Sequence, residues 1–288
     1  MAEAWTYTLG SGCGTSEDSS KKTCSVKRVS LLIDSRDRDY ARYPSASSYV
    51  VKLPSNLFNV TSAMLKSIEL PTSYYVFSAG KNNTSLVVIV NGVTRTVTIP
   101  DGNYSFSTMS TALTAALTAA FPGSAFTTTF SDATYRIALG VSPSVTIAVD
   151  CSGVDPVVTP TQYGLAYFLG FPAGVITAGT GSVGGSTVAS LNPETYLLVD
   201  IEELNTVQQA GMWGRGGSSG TVFAKVPIAN PTMSVTVYDK LITASDYVPP
   251  IARIESLRIS MRFHDGSLVD FHGCEHSMTL ELACTQSR

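Results

Sequence analysis

The chain has little charge. Only 14% of its 288 residues are charged, against about 25% in an ordinary soluble domain, whereas 44% are hydrophobic. Serine, threonine, asparagine and glycine supply the remaining polarity. An isolated protein usually keeps a more charged surface for solubility. The composition therefore favours an assembly component whose faces are covered by neighbours, although a threonine-rich β sandwich has a similar composition.

The sequence also lacks a basic patch. The net charge is −3, and the lysines and arginines are scattered. The densest basic cluster, Lys21-Lys22 with Lys27-Arg28, is short and is typical of a solvated tail. Proteins that neutralise a phosphate backbone present a basic face or stripe. The charge pattern thus argues against direct contact with nucleic acid.

Long apolar runs and a cysteine framework are missing as well. No run approaches the roughly 18 apolar residues of a membrane span, and the opening MAEAWTYTLGSGCG lacks the layout of a signal peptide. Five irregularly spaced cysteines favour reduced thiols and assembly in the cytosol. A bond between Cys13 and Cys24 across a short loop stays open.

Histidine is scarce, and all three histidines lie near the carboxyl end. On an unbroken strand His272, Cys274 and His276 would share one face, and zinc accepts that set of ligands. These three residues are the metal-site candidates of the chain.

The continuation of the same strand weakens a metal site. Met278, Leu280 and Leu282 would extend that face, which indicates that it points into the core. Gly273 is in addition a candidate bulge that would break the alternation. We therefore favour a structural role for the histidines and expect no metal and no cofactor.

Two glycine-rich strings match catalytic or nucleotide-binding patterns but lack their context. Gly179–Gly184 matches a dinucleotide-binding string, yet Asn192-Pro193 follows where a helix is needed. Gly216–Gly220 matches a nucleophile elbow but leads into a strand pattern. Both are expected to be loops, and the sequence predicts no enzyme.

A third candidate is the acidic group in YLLVDIEELN. Alternation places Asp200 and Glu202 on one strand face, with Glu203 next to them. Such a group is an ordinary solvated or interface face more often than a pair of catalytic carboxylates.

The dominant positive signal is the short strand. Residues 1–28 have little periodicity and are expected to form an N-terminal arm. Residues 86–90 and 93–99 flank Asn91-Gly92, which predicts a tight hairpin because both turn residues need a positive φ. A helix should begin at Ser105 or Ser107 and end at Pro122-Gly123.

The order of these elements predicts the fold class. About eight or nine strand patterns lie outside residues 79–190, among them 31–33, 49–53, 64–70, 254–263 and 268–272. Eight strands in two packed sheets is the jelly-roll number. We expect a mainly β protein, a jelly-roll-like antiparallel β sandwich over 29–288. An inserted α+β lobe at about 79–190 would contain the one convincing helix, with a further short helix near 161–168.

A densely charged segment follows the first strand pattern. Asp34-Ser35-Arg36-Asp37-Arg38-Asp39 carries five charges in six residues, and Arg42 follows. The carboxylates are expected either to cap turn amides or to pair with arginines, within the chain or across a subunit boundary. The resulting interface candidates are Arg36, Asp37, Arg38, Asp39 and Arg42, together with Trp213 in an exposed loop.

Several ordered motifs carry a resemblance to a known family. They are IDSRDRD-x3-YP-x4-YVVKLP from Ile33, IPDGNYS from Ile99, LGF from Leu169, YLLVDIEELN from Tyr196 and DGSLVDFHGCEHSMTLEL from Asp265. In this order the chain resembles minor capsid and virion proteins of large icosahedral double-stranded DNA viruses of algae and amoebae, such as phycodnaviruses. The resemblance implies a jelly roll and places IPDGNYS in the inserted lobe.

The resemblance also implies a function. We expect a non-enzymatic minor capsid protein that cements or spaces the major capsid capsomers of a large icosahedral virion. Its partners would be those capsomers and other minor capsid proteins, with self-association open, and its location the capsid shell after assembly in the host cytoplasm.

Two alternatives come from other classes. One is a vertex or spike-type β-sandwich module that binds a receptor or glycan through its aromatic residues. The aromatic candidates are Tyr74, Tyr75, Tyr104, Tyr163, Tyr167 and Trp213. The other, which we favour less, is a jelly-roll metalloenzyme that uses the histidine–cysteine set.

Overall fold

The computed structural model describes residues 24–153, 164–192, 194–205, 210–212, 219–228, 234–239 and 244–287. Contacts divide the chain into two compact units. The first holds the described residues up to Ser73, those of Tyr196–Met212 and those from Ser219 onward, and the second is Tyr74–Thr195. The lobe expected at about 79–190 falls inside the second unit, and its description as an insertion into the sandwich stays a prediction.

Strands dominate both units. In chain order they are β1 (Cys24–Asp34), β2 (Ser48–Pro71), β3 (Ser85–Val90), β4 (Val93–Thr98), β5 (Ala125–Ser131), β6 (Arg136–Ser142), β7 (Thr146–Asp150), β8 (Ile176–Thr180), β9 (Ser182–Gly184), β10 (Tyr196–Ile201), β11 (Ala210–Met212), β12 (Ser219–Thr221), β13 (Ala224–Pro227), β14 (Val235–Tyr238), β15 (Ser245–Arg262) and β16 (Ser277–Ser287). The α-helices are α1 (Phe106–Ala120) and α2 (Gly164–Phe168).

The first unit is built on a seven-stranded sheet. Its order is β1-β16-β2-β15-β10-β13, and β14 also pairs with β2. The strands β11 and β12 form a separate two-stranded pair. All of these pairs are antiparallel. The central strand β2 therefore connects the β16 side of the sheet with the β15 side.

The 24-residue strand β2 replaces the two shorter strands that the sequence predicts at 49–53 and 64–70. It stays one strand because bulges absorb its irregular residues. Residues 53–56 of β2 lie opposite Glu255 alone, and Pro54 is among them. A proline in a bulge removes no ladder hydrogen bond. A second bulge, at 247–250 of β15, lies opposite Thr61.

Two further expectations about this unit are wrong. Residues 24–28, assigned to the arm, are the first part of β1, because they pair with the carboxyl-terminal residues 283–287 of β16. Such a distant partner gives no local signal. Residues 268–272 do not form a strand. Leu268 makes one isolated bridge with Arg262, and a turn at 272–273 follows.

The second unit contains two antiparallel sheets, with strand orders β4-β3-β7-β8 and β5-β6-β9. The predicted hairpin is confirmed, since Asn91 and Gly92 connect β3 to β4 with φ values of 46° and 79°. The predicted helix is confirmed as α1. Ser105 caps it, and the Ser105 N–H donates to Thr108 Oγ1 at 2.9 Å.

A row of apolar residues on α1 explains its position in the second unit. Met109, Leu113 and Leu117 are fully buried, and the helix packs on β5 and β4. The short helix α2 follows, within the region 161–168 where the sequence predicts one, and its Leu165 and Phe168 are also buried.

The predicted fold class is therefore confirmed: a mainly β, antiparallel, jelly-roll-like sandwich with few helices.

Candidate functional site

The charged segment after β1 folds into a short 3-10 turn, Ser35–Asp37. The Asp34 carboxylate caps it by accepting the Arg36 N–H at 2.9 Å, and it also accepts two hydrogen bonds from the Arg36 guanidinium. The side-chain bond from Arg36 lowers the pKa of Asp34 below its ordinary value. The segment is thus held first by its own neighbours, as a local turn.

Arg38 points in the opposite direction, into the protein. Its side chain is 4% exposed, and its Nη1 lies 2.5 Å from Glu275 Oε2. The guanidinium also donates to three backbone oxygens, those of Ser35, Tyr43 and Pro44. A buried charge is tolerated when it is paired and its hydrogen bonds are satisfied. Arg38 meets both conditions, so it fixes the turn in place.

Glu275 is the acceptor at the centre of this cluster. It accepts hydrogen bonds from Arg38 at 2.5 Å, Ser35 Oγ at 2.5 Å and Tyr40 Oη at 3.2 Å. Burial would raise the pKa of Glu275, but the bonds from Arg38 and Ser35 outweigh it, so the pKa lies below the ordinary value. The Tyr40 ring lies 4.1 Å from the Arg38 guanidinium carbon and adds a cation–π contact.

His276 lies beside this cluster and is 3% exposed. Its backbone N–H donates to Ser35 Oγ, and its Nε2 lies 3.0 Å from the Ala46 carbonyl oxygen. Among the described residues, His276 Nδ1 and the nearby Tyr49 hydroxyl have no hydrogen-bond partner. Burial lowers the pKa of His276, which favours the neutral ring.

The structure separates the six interface candidates. Arg38 is buried and paired with Glu275, so it does not reach the surface. Asp39 caps a second turn by accepting the N–H groups of Ala41 and Arg42. Arg36, Asp37 and Arg42 remain exposed on residues 34–42, the anchored turn, which Arg38 and Glu275 hold in place. Trp213 lies outside the described residues. An interface role for the exposed members stays a prediction.

The metal candidates do not share a strand face. His272 and Gly273 form a turn, with φ values of 51° and 78°. Cys274 is exposed, whereas His276 is buried against Ala46. Across the residues that the structure describes, no group of three or more histidine, cysteine or acidic side chains is arranged to hold a metal ion. The alternation that suggested a zinc site does not exist here.

The acidic candidates of YLLVDIEELN are each bound to a different group. Asp200 accepts Arg262 Nε at 3.0 Å and the Asn205 amide at 2.7 Å. Glu202 pairs with the Arg258 guanidinium at 2.9 Å, and Glu203 accepts the Arg258 backbone N–H. The three carboxylates therefore act separately, in contacts that hold β10 and its 3-10 turn against β15.

The Gly179–Gly185 segment is not the flexible loop that the sequence predicts. It contains the end of β8 and all of β9, which join at Gly181 with φ 73°. A Cβ on Gly179 would come within 2.0 Å of the Ser182 carbonyl oxygen. Close backbone contact thus explains these glycines. Gly216–Gly220, the elbow string, lies largely outside the described residues.

The aromatic candidates of the binding-module alternative differ in exposure. Tyr74 is buried, and Tyr104 donates its hydroxyl to the Pro100 carbonyl oxygen at 2.6 Å. Tyr75 and Tyr167 are partly exposed, at 38% and 37%. Tyr163 lies outside the described residues. The described members therefore do not all present free ring faces.

Sequence reasoning missed the residues that anchor the charged turn. Glu275, Ser35 and Tyr40 contact Arg38 or one another, yet none was a candidate. Glu275 is 237 residues from Arg38 along the chain, so no spacing rule connects them. The only available signal is the position of Glu275 between two histidines in HGCEH.

Several apolar side chains of the first unit are exposed on strands. The most exposed are Val248 at 92% and Leu32 at 85%, and Val237 is 61% exposed. Val248 lies in the β15 bulge, and Leu32 lies on β1. Single exposed apolar residues are normal on protein surfaces. Apolar side chains exposed to this degree are candidate contact points for a neighbour.

The chain matches one family model and has similarity to solved structures. Residues 21–148, less than half of the chain, match a family model described as a family of unknown function (DUF5901). No curated protein sequence matches. A crystal structure of the mavirus penton protein, selenomethionine-labelled, aligns with a TM-score of 0.48 and 8% identity, covering 92% of this chain and 100% of that chain.

A membrane-spanning helix is likewise not found in the part of the chain that the structure describes, since neither α-helix is long and apolar enough.

Proposed function

We propose that the chain is a non-enzymatic structural protein of a large icosahedral capsid. In finer detail it would be a minor capsid protein that cements or spaces the major capsid capsomers. Its partners would be those capsomers and other minor capsid proteins, and it would lie in the capsid shell of a virion assembled in the host cytoplasm.

The observation that carries this proposal is the exposed apolar surface on the strands of a chain with 14% charged residues. Leu32, Val237 and Val248 are each more than half exposed. Burying them against a neighbour gains free energy in proportion to the apolar area removed from water, about 25 cal/mol per Å². A protein that works inside an assembly gains this energy, whereas an isolated one does not.

The anchored turn supports the same function. Arg38 and Glu275 hold the segment rigidly, so the exposed charges of Arg36, Asp37 and Arg42 are presented without further loss of backbone freedom. Charged groups at the rim of an interface contribute orientation and specificity more than affinity. We propose that these three residues orient the protein against its neighbours.

The motifs that carry the family resemblance also contact one another. Arg38 belongs to the opening motif and Glu275 to the closing one, and they form the buried ion pair. His276, in the closing motif, lies against Ala46, which is in the opening motif. The first and last motifs of the resemblance therefore lie together in one structural unit.

Cryo-electron microscopy of purified virions tests the proposal. We expect density for this chain beneath or between the capsomers, with the turn at 36–42 against a neighbour. Density at a vertex or spike would favour the receptor- or glycan-binding alternative. Virions without the chain, together with an inert purified monomer, would contradict the proposal.

A deletion tests the role of the N-terminal arm. The deletion should remove residues 1–23 and not 1–28, because residues 24–28 pair with β16. We expect weaker incorporation into particles with an unchanged melting temperature. A matched deletion of 1–28 is the control for damage to the sheet, since it should lower the melting temperature.

A further inference from the structure

The strand β1 forms one edge of the seven-stranded sheet, and it is unusually long and regular for an edge strand. It pairs with β16 over eleven consecutive residues without a bulge. In the described residues, no backbone hydrogen bond reaches its outer side. The opposite edge, β13, has four residues and ends in Pro227. Short strands and prolines protect sheet edges from pairing, and long regular edges invite it.

The ladder identifies which backbone groups face outward. The Ser35 N–H donates to the His276 carbonyl oxygen at 2.9 Å, continuing the register of β1 and β16. Hydrogen-bonded and non-hydrogen-bonded positions alternate along an antiparallel pair. The odd-numbered residues of β1 therefore bond to β16, and the N–H and C=O groups of Arg28, Ser30, Leu32 and Asp34 point to the outer edge.

The side chains of these four residues all lie on one face of the sheet, the outer face, which is the more exposed face at β1. Leu32 is 85% exposed, and Arg28 and Ser30 are also exposed. Val29 and Leu31 alternate with them on the inner face and are half-buried. A strand that paired with β1 would therefore cover apolar surface on both faces of the sheet.

We infer that β1 pairs antiparallel with β1 of a second copy of this chain, about a two-fold axis at Leu31. The two seven-stranded sheets would join into one continuous sheet. The inference deepens the proposed function by naming one partner surface, and it rests on that proposal in treating the chain as an assembly component.

Charge complementarity selects this register among its neighbours. With Leu31 at the axis, Arg28 of one copy lies opposite Asp34 of the other, twice in the dimer, and Val29 lies opposite Ile33. Within one chain Arg28 pairs with Glu281 and Asp34 pairs with Arg36, so the facing charges would add to these existing pairs. Opposite charges in facing positions stabilise a strand pair.

Adjacent registers lose this match. An axis at Ser30 places Arg28 opposite Leu32. An axis at Leu32 would carry Arg28 past the end of β1 at Asp34, where the 3-10 turn offers no facing strand position. The Leu31 axis is therefore the register that the sequence of β1 supports.

Sedimentation or light scattering of the purified full chain tests the dimer. We expect twice the 30.5 kDa chain mass for the natural protein and a single chain mass for S30P and for L32K. The proline removes only an outward N–H, so the melting temperature should change little. V188K changes an exposed valine of the second unit, which is 60% exposed, and as the matched control should stay dimeric.

Disulfide trapping tests the register. In a background with Cys13, Cys24 and Cys274 changed to serine, Leu31→Cys should form a disulfide-linked dimer on oxidation. Val29→Cys should not, because its two copies would be offset by four residues, about 13 Å along the strand, beyond the reach of a disulfide. Both positions are half-buried on the inner face, so they are closely matched.

Each other outcome overturns the inference. A natural chain that stays monomeric at high concentration excludes the dimer, and a dimer that persists in both S30P and L32K lies elsewhere. Trapping at position 29 in place of 31 means another register. Loss of the dimer on deleting residues 1–23 means that the arm occupies the edge. None of these results bears on the presence of the chain in virions, so the two proposals fail separately.

Discussion

Arg38 Nη1 lies 2.5 Å from Glu275 Oε2, although the two residues are 237 positions apart in sequence. The pair connects the turn after β1 with the loop before β16, and these two strands are neighbours in the sheet. Ser35 and Tyr40 donate to the same carboxylate, so the contact is a small network and not an isolated pair. It holds the charged turn in a fixed position on the first unit.

Removing this anchor should be costly. Arg38→Ala leaves Glu275, 23% exposed, without its cation and removes the guanidinium donor from the backbone oxygens of Tyr43 and Pro44. The Ser35 oxygen loses the guanidinium but keeps the N–H of residue 38. We expect the free energy of unfolding to fall by about 2–4 kcal/mol. Chemical denaturation measures this change.

Arg36→Ala is the matched control for that substitution. Arg36 forms an ion pair of similar length with Asp34, but its side chain is 71% exposed. Solvent and salt screen exposed pairs, so this variant should be nearly as stable as the natural chain. Equal losses in the two variants would contradict the anchoring role of Arg38.

The buried histidine should make the first unit sensitive to mild acid. Burial lowers the pKa of His276 below its ordinary value of 6.5. The hydrogen bond to Ala46 and the charges of Glu275 and Asp34 oppose this shift, and the charge of Arg38 adds to it. The unfolded chain therefore takes up a proton first, so stability begins to fall as the pH drops below about 6.5. The melting temperature measured between pH 8 and 5 checks this, and His276→Leu should flatten the curve.

Glu275 adds a second loss at lower pH. Its folded pKa lies below the ordinary value of 4.5, so its contribution to stability is complete above that value and disappears as the pH falls through the folded pKa. Glu275→Gln should remove this lower part of the curve and leave the His276 part. A natural chain with constant stability from pH 8 to 4 would contradict both assignments.

Tyr49 offers a prediction of the opposite sign. Its ring is 1% exposed, and its hydroxyl has no hydrogen-bond partner among the described residues. An unsatisfied buried polar group costs free energy, so its removal is neutral or favourable. Tyr49→Phe should leave the free energy of unfolding unchanged or raise it by up to about 1 kcal/mol. A loss of more than this amount would mean that the hydroxyl is bonded.

Substitution of glycines in the 179–185 segment distinguishes a tightly packed turn from a flexible loop. Gly179→Ala would place a Cβ 2.0 Å from the Ser182 carbonyl oxygen, so the backbone must move. We expect a loss of about 2 kcal/mol or more, at the upper end of overpacking effects. Gly184→Ala is the control, because its Cβ would meet Ala138 at an ordinary 3.7 Å. Equal tolerance of both substitutions, measured by thermal unfolding, would favour a flexible loop.

Local patterns in the sequence predict local structure in this protein. Asn91-Gly92 predicts its hairpin because the turn needs two residues at positive φ, and both have it. The apolar spacing of Met109, Leu113 and Leu117 predicts α1, and Ser105 its cap. The mainly β class follows from the number of strand patterns. Each of these features depends on residues within a few positions of one another.

The tertiary structure alone decided what depends on distant residues. Residues 24–28 become a strand because residues 283–287 pair with them, and Arg38 turns inward because Glu275 is there. His272 and Gly273 form a turn at positive φ, so the expected ligands around His272 do not lie on one strand face. The spacing of apolar residues indicates which face of an element is apolar, but it does not indicate which distant element packs against that face. Pairing across the chain therefore determined which charges became anchors and which stayed exposed.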